Sequence, residues 1–374
     1  MAGIYVHIPF CHSKCAYCDF FSTPRNAEEM REAFIEALAR EWHMRRNELT
    51  DEPVKTIYLG GGTPSILSLA ELEEITSLFP NSDLEEFTIE TNPEDVTDAW
   101  VAGIAKLGIN RVSIGVQSLN DDELSIVGRR HTAEDALRAI ACIKSGGISN
   151  ISADLIYGLP KQTINSWNDS LHRLLATGIT HLSAYSLSYE QGTRLYAMLM
   201  NGKVEEAPQE LSEQMYTTLC NYTAEVGFEH YEISNFARPG MHSRHNSSYW
   251  DYTPYLGLGP GAHSFDGKVR RVNPAKLQQY INDMHTGKAF CYTENETLTD
   301  RLNDAIITAL RTSRGLQIDS IQALGGTHAA NELRKNTAPY IASGKIMHTP
   351  DNILRIPEKY WLISDAILRD LLLD

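Results

Sequence analysis

The chain has 374 residues, of which 42% are hydrophobic and 22% charged, enough for a sizeable core without disulfides and for one large domain plus a smaller one. A formal charge of −15 repels phosphate backbones and argues against general nucleic-acid binding. No stretch carries the run of apolar residues that a membrane span needs.

The N-terminus, MAGIYVHIPFC, has neither a basic n-region nor a long apolar h-region, so it does not read as a secretory signal and the chain is expected in the cytoplasm. Gly3 to Ile8 reads as a strand and is followed by a cysteine-rich loop. Helical periodicity spans about 27–46, 69–79, 97–107, 132–146 and 163–177, and strands are expected at Val54–Leu59, Glu86–Glu90, Arg111–Val116, Ile151–Ile156 and His181–Ser186. Six strand–helix alternations imply parallel strands with right-handed crossovers, in a doubly wound sheet or a barrel. The polar and glycine-rich segments follow the strands: the cysteines, GGGTP, ETNPE, GVQS and DLIYGLP. Ligands collect at the C-terminal ends of parallel strands, so those loops are expected to line one site.

After about residue 190 the pattern changes. A helix is expected over about 207–226, then a strand and turn in FEHYEISNFA, then RHNSSYW and YLGLGPGAHSF. GLGPGA is a weak echo of a dinucleotide fingerprint; its proline and the lack of a βαβ setting make it a plain loop. From about residue 297 helical patterns and a hairpin (KIMHTPDNILRIP) predict a small helical domain with a β-wing. The expected divisions are 1–190, 191–295 and 296–374. From Glu294 onward there are eleven acidic and nine basic residues, so a wing there is expected to contact protein or cover a ligand rather than bind DNA.

Six cysteines occur, three of them within eight residues as CHSKCAYC: Cys11, Cys15 and Cys18. Crowded cysteines in a cytosolic chain read as metal ligands. Zinc sites usually come as two separated pairs, and no second pair follows, so the spacing favours an iron–sulfur cluster over zinc. Three thiolates leave one iron of a [4Fe-4S] cluster open to a small chelate. Cys142 and Cys220 lie in helical patterns and are expected to pack in the core; Cys291 has no pattern around it. GGGTP is not a Walker A loop, because no GKS or GKT follows. Its bare glycines are expected to let the backbone approach a ligand, a tight strand–helix turn being the alternative.

CxxxCxxC with Tyr17 before the last cysteine resembles the radical S-adenosylmethionine (SAM) superfamily. The resemblance implies a partial (β/α)6 barrel. It also implies a cofactor whose methionine amino and carboxylate groups chelate the open iron and which is cleaved by an electron to a 5′-deoxyadenosyl radical. On the matching motifs it implies that Tyr5, Tyr17, Gly61, Gly62, Thr63, Glu90, Gln117, Arg129 and Asp154 contact SAM. For Arg129 a surface salt bridge is the alternative. YVHIPFCHSKCAYCDF, YLGGGTPS, ETNPE, RVSIGVQS, GRRHTAEDA, DLIYGLPKQT, YEISNFARPG, RHNSSYW and YLGLGPGAHSF together resemble the HemN/HemW group, the oxygen-independent coproporphyrinogen III oxidase and its haem-chaperone paralogue. The resemblance covers nearly the whole chain and weakens past about residue 300.

The oxidase pattern has a further cysteine where this chain has Phe20, and an extension before its cysteines that this chain lacks. Both departures favour the haem-chaperone branch. HNSSYW resembles that branch's haem-binding motif, which implies His245, Asn246, Tyr249 and Trp250 as haem contacts, with His245 a candidate iron ligand and His7 or His263 alternatives. The expected cofactors are thus a [4Fe-4S] cluster, SAM and haem. The expected partners are haem, an electron donor for the cluster, and haem-accepting proteins such as cytochromes or respiratory enzymes. A homodimer and a membrane-associated acceptor stay open, and no catalytic residue is assigned. The rival readings are coproporphyrinogen III oxidase and another radical SAM enzyme acting on a tetrapyrrole.

Overall fold

Residues two apart on a strand share a face, and in the first six strands one face is apolar and the other mostly polar. Ile4, Val6, Ile57, Leu59, Phe87, Ile89, Val112 and Ile114 alternate with Tyr5, Thr56, Tyr58, Thr88, Glu90, Arg111 and Ser113. The apolar set joins one buried core with helix residues such as Phe34, Leu38, Leu72 and Ile140. The polar set is left to line an interior.

The computed structural model describes residues 2–19, 21, 29–49, 53–80, 83–287 and 291–373. The first half runs β1 (Ala2–Ile8), α1 (Arg31–Arg45), β2 (Val54–Gly61), α2 (Leu69–Ser77), β3 (Glu86–Thr91), α3 (Asp98–Lys106) and β4 (Arg111–Gln117). It continues with α4 (Asp121–Ile126), α5 (Ala133–Ser145), β5 (Asn150–Tyr157), α6 (Ile164–Ala176) and β6 (His181–Ser186). β1 to β6 pair in sequence order, each parallel to the next. This is the expected partial (β/α)6 barrel. Ser68, Thr132 and Thr163 start α2, α5 and α6 with reciprocal capping boxes, so these helix starts are written locally.

The second half extends the sheet at both edges. It runs α7 (Arg194–Met200), α8 (Gln209–Glu225), β7 (Glu229–Glu232), β8 (Asn235–Ala237), α9 (Arg244–Trp250), β9 (Tyr255–Leu258), β10 (His263–Phe265), β11 (Arg270–Val272), α10 (Leu277–Thr286) and β12 (Tyr292–Thr293). The β7–β8 hairpin lies antiparallel against β6, and β9 lies parallel to the free side of β1, giving a twelve-stranded sheet. Part of GLGPGA, expected as plain loop, is therefore strand: Gly257 and Leu258 belong to β9. Gly257 is required there, because a Cβ would stand 1.9 Å from the His263 carbonyl oxygen. A buried ion pair ties this edge to α1: Arg45 donates to Glu41 at 2.9 Å and to the Gly257 carbonyl at 3.1 Å, and Tyr280 donates to Glu41 at 2.7 Å.

The last segment holds α11 (Leu298–Leu310), β13 (Leu316–Gln317), α12 (Ile318–Ala342), β14 (Met347–His348), β15 (Ile353–Arg355), a 3-10 turn at Glu358–Ile363 and α13 (Ser364–Arg369). α12 breaks at Gly326, whose φ is 76°. β13, β15 and β14 form a small antiparallel sheet beside the helices, the wing expected from the hairpin signal. The expected divisions near 190 and 295 fall between β6 and α7 and between β12 and α11. The apolar core nonetheless runs on from the barrel into Leu302, Ile306, Leu333 and Trp361. Among the described residues no helix is long and apolar enough to cross a membrane.

Candidate functional site

β1 leads directly into the cysteine loop, and the neighbouring strand ends hold that loop by its backbone. Gly62 N–H donates to the Ile8 carbonyl at 2.8 Å and Thr63 N–H to Phe10 at 2.7 Å. Ala16 N–H donates to Val127 at 2.8 Å, and the Ala16 carbonyl accepts from Leu195 at 2.7 Å. The glycines of GGGTP serve this packing. A Cβ on Gly62 would lie 2.5 Å from the Phe10 carbonyl oxygen, and one on Gly61, whose φ is +106°, would lie 2.6 Å from the His7 ring. They bring the backbone against the cysteine loop, a packing role that the sequence does not show.

A chain of polar contacts then links two of the cysteines. Cys11 Sγ and Thr63 Oγ1 are 3.4 Å apart, Asn92 Nδ2 donates to that hydroxyl at 3.2 Å, and Arg129 Nη2 donates to Asn92 Oδ1 at 2.6 Å. Arg129 Nη1 closes the path on Cys15 Sγ at 3.3 Å, while Nη2 also reaches the Gly115 carbonyl at 2.7 Å. Arg129 is thus no surface salt bridge; it sets a permanent positive charge beside the Cys15 sulfur. Asn92 went unnoticed in the sequence, although it stands inside the ETNPE motif.

The residues present fit an iron–sulfur cluster. Cys11, Cys15 and Cys18 form no disulfide and lie in one loop. Three sulfur donors without a second cysteine or histidine pair suit an iron–sulfur cluster better than a four-ligand structural zinc. Arg129 Nε is also buried without a hydrogen-bond partner, a donor at the rim still open to a ligand.

Below this rim lies the polar interior. Tyr58 donates to Glu90 Oε1 at 2.7 Å, and Gly61 N–H donates to Oε2 at 3.1 Å. Burial raises the Glu90 pKa to about 7, with Asp154 adding to the rise and Tyr58, Gly61 and Arg111 opposing it. Burial likewise lifts Asp154 to about 6 against the pull of Ser183 and Arg111. Tyr5, Tyr17 and Tyr58 are held protonated, chiefly by burial. Arg111 is 1% exposed, and its Nε and Nη1 have no hydrogen-bond partner. Gln117 ends β4 at φ 67°, a left-handed conformation that non-glycine residues adopt at a cost, and it lies beside Gly115 and Arg129. Glu90, Asn92, Gln117, Arg129 and Asp154 therefore gather with the cysteines at the C-terminal ends of the strands.

The HNSSYW segment is elsewhere. It forms helix α9 and packs at the opposite end of the barrel, against Thr56 and Glu86 at the starts of β2 and β3. The Glu86 carboxylate accepts from the Arg244 and His245 N–H groups at 2.8 and 3.0 Å, as anions do at helix N-termini. His245 is 1% exposed. Its Nδ1 pairs with Thr56 Oγ1 at 2.8 Å and its Nε2 with Tyr249 OH at 2.9 Å, and its ring stacks on Tyr58. Burial, aided by Arg111, lowers its pKa to about 3, so it stays neutral. With both ring nitrogens engaged inside the barrel, His245 offers no free nitrogen to haem iron in this arrangement. His7 is similar: its ring nitrogens pair with Tyr5 OH at 3.1 Å and the Phe21 carbonyl at 3.0 Å. His263 is exposed on β10. Trp250 does face a cavity, of about 450 Å3, that it shares with Tyr252, Phe265, Arg301, Leu316 and Leu324. Phe20, the other discriminating position, lies outside the described residues.

The Radical SAM superfamily profile matches residues 5–174, the span that carries the cysteine loop and the strand-end motifs. The chain is 35% identical to the protein of Bacillus subtilis named Heme chaperone HemW over 84% of this chain and 85% of that one. It is 38% identical to the Heme chaperone HemW of Synechocystis over 89% and 84% of the two chains. The chain belongs to the HemW family of radical SAM proteins. Its fold also matches coproporphyrinogen III oxidase (HemN) from Escherichia coli, with a TM-score of 0.85, 23% identity, and coverage of 99% of this chain and 90% of that one. At that identity the match speaks for the fold alone. Membership implies a [4Fe-4S] cluster and SAM, and the thiols and rim residues described above are those that would hold them. When bound and reduced, the cluster would supply an electron that can cleave the sulfonium C–S bond of SAM.

Proposed function

We propose that this HemW-family protein is a haem chaperone, which binds haem, carries the cluster and SAM at the barrel rim, and hands haem to acceptor haemoproteins such as cytochromes or respiratory enzymes. The observation that carries the reading is the identity with proteins named haem chaperones over most of both chains. The cluster is held by Cys11, Cys15 and Cys18. SAM is held by Glu90, Gln117, Arg129 and Asp154, with Tyr5, Tyr17 and Gly61–Thr63 shaping the site.

Haem, on this reading, docks against the outer side of α9. The cavity at Trp250 combines apolar and aromatic walls with Arg301 at its edge, which suits a flat macrocycle bearing two carboxylates. Tyr252 lines the same cavity, has φ 56°, and holds its buried hydroxyl beside Thr308, which makes it the candidate axial ligand. His245, Asn246 and Tyr249 then act from behind, by fixing the helix that presents Trp250. The test is a haem titration of the cluster-loaded protein. A saturable one-to-one Soret shift is expected, with Tyr252→Phe changing the spectrum and Trp250→Ala weakening binding. A parallel assay with coproporphyrinogen III, SAM and reductant should yield no vinyl product. Vinyl formation without haem binding would overturn the chaperone reading in favour of the oxidase.

A further inference from the structure

Cys220 looked like a packing residue in the sequence, but the fold places it against two other metal-binding side chains. Cys220 is on α8, His230 is on β7, the outermost strand of the barrel sheet, and Glu358 opens the 3-10 turn after the wing. His230 Nδ1 is 3.9 Å from Cys220 Sγ and 2.7 Å from Glu358 Oε1. The three ligand atoms all lie within 4.8 Å of one another, the one such convergence of three His, Cys, Asp or Glu side chains among the described residues. No sequence spacing predicts it, because 128 residues separate His230 from Glu358.

We propose that Cys220, His230 and Glu358 form a second metal site, for one divalent ion of the zinc class, which clamps the C-terminal segment to the barrel.

The geometry is close to what such an ion needs. Zinc–sulfur and zinc–nitrogen bonds of about 2.3 and 2.1 Å at a tetrahedral angle put sulfur and nitrogen about 3.6 Å apart, and nitrogen and oxygen about 3.3 Å apart. The observed 3.9 Å is about 0.3 Å longer and the observed 2.7 Å about 0.6 Å shorter than those separations, as for a hydrogen-bonded pair that a metal would open slightly. The imidazole is held in place by its faces: Phe236 stacks on it at 3.9 Å and the Trp361 ring meets it edge-on at 4.3 Å. Its Nε2 is buried without a hydrogen-bond partner, so ring packing, not a second hydrogen bond, fixes its direction. The His230 side chain is 5% exposed and that of Glu358 is 47% exposed. The ion would therefore be gripped from the protein side and reach solvent past the carboxylate, where water completes four ligands. Thiolate, imidazole and carboxylate together suit zinc better than magnesium or calcium, which take oxygen sets. Binding replaces the Cys220 S–H proton and the proton shared by His230 and Glu358, and both leave to solvent. Until then the thiol stays protonated, pushed up to about 12 by burial and by Glu358.

The clamp has mechanical meaning. Cys220 and His230 belong to the barrel's edge, whereas Glu358 and Trp361 belong to the turn that follows the wing. An ion here would join the segment that covers the Trp250 cavity to the sheet.

The experiment uses the full chain with its [4Fe-4S] cluster loaded, so that Cys11, Cys15 and Cys18 are occupied. The protein is dialysed against Zn2+, analysed for bound zinc, and read at the zinc X-ray absorption edge, where iron does not interfere. One zinc per chain is expected, with a single sulfur and at least one imidazole in its shell. Cys220→Ser and Glu358→Gln should each weaken zinc binding by about tenfold or more with the iron content unchanged. Glu358 is half-exposed, so its variant reports on the site even where a change at Cys220 disturbs packing. No zinc retained at stoichiometric loading, a shell with two or more sulfurs, or binding unchanged in both variants would each overturn the proposal.

Discussion

Arg129 spans the two halves of the rim, with one guanidinium nitrogen on Cys15 and the other on Asn92 and Gly115. A fixed cation beside a thiolate lowers the cost of negative charge on the cluster side, and no neutral side chain can do that. Replacing Cys11, Cys15 or Cys18 by Ala should remove most of the iron and sulfide, measured after anaerobic reconstitution against about four of each in the parent. Cys142→Ala should leave them in place, because that thiol, on α5, donates to Asp98 at the start of α3. Retained iron in the Cys15 variant, with loss in the Cys142 variant, would contradict the three-thiol site.

The paired carboxyls give a pH test at the same scale. Glu90 and Asp154 are held at about 7 and about 6, mainly by burial. SAM carries a sulfonium and an ammonium, and positive charge nearby favours the ionised carboxylates. Both pKa values should therefore fall on binding, and protons should be released. Affinity should be greatest above about pH 7 and decline as pH falls through 7 and 6. Calorimetry in buffers of different ionisation enthalpy measures the release. Proton uptake on binding at pH 6.5, or an affinity that rises towards pH 5, would contradict the placement of the cofactor beside these groups.

Among the elements, the turn after β2 and helix α9 do the positioning. Gly62→Ala sets a Cβ against two backbone carbonyls that cannot move without shifting the cysteine loop. It should cost about 1–3 kcal/mol in chemical denaturation, a range typical of overpacking, and lower the iron content. Gly62 is not left-handed, so its cost is the clash alone; Gly240→Ala is the contrast, with φ 79° and nothing within 4 Å of a Cβ, and reports backbone strain without a clash. It should keep full iron content. α9 makes the matching case at the other barrel end. His245→Ala leaves Thr56 and Tyr249 without their partner and opens a hole against Tyr58. A loss of about 2–4 kcal/mol in stability is expected, with any change in haem binding scaling with that loss. A stable His245→Ala protein with haem binding abolished would return this residue to the iron.

Across the whole molecule, one apolar core joins the barrel helices to α11, α12 and Trp361, and Glu232 of β7 bridges to Thr312 after α11. The C-terminal segment should therefore open together with the barrel. Native-state hydrogen exchange should give amides of β5 and α11 the same opening free energy; a much lower value for α11 would mark an independent domain.

What the sequence alone determined were the features written in local or periodic residue patterns. The cysteine triplet, the period-two strands, the capped helices and the order of strand-end motifs required no knowledge of distant contacts, and they sufficed for the partial barrel and the HemW family and named the cysteines proposed as cluster ligands. Elements of six or seven residues such as α4 and α7, and β9 inside a glycine-rich stretch, escaped, because short segments take their conformation from what they pack on. Only the tertiary structure decided where the HNSSYW helix sits, since Glu86, Thr56 and Tyr58 draw its histidine into the barrel from strands more than 150 residues away. It also decided that the GGGTP glycines serve the cysteine loop, that Arg111 lies among carboxyls, and that Cys220 meets His230 and Glu358. Each of these is a through-space meeting of residues whose sequence neighbours carry no trace of the partner.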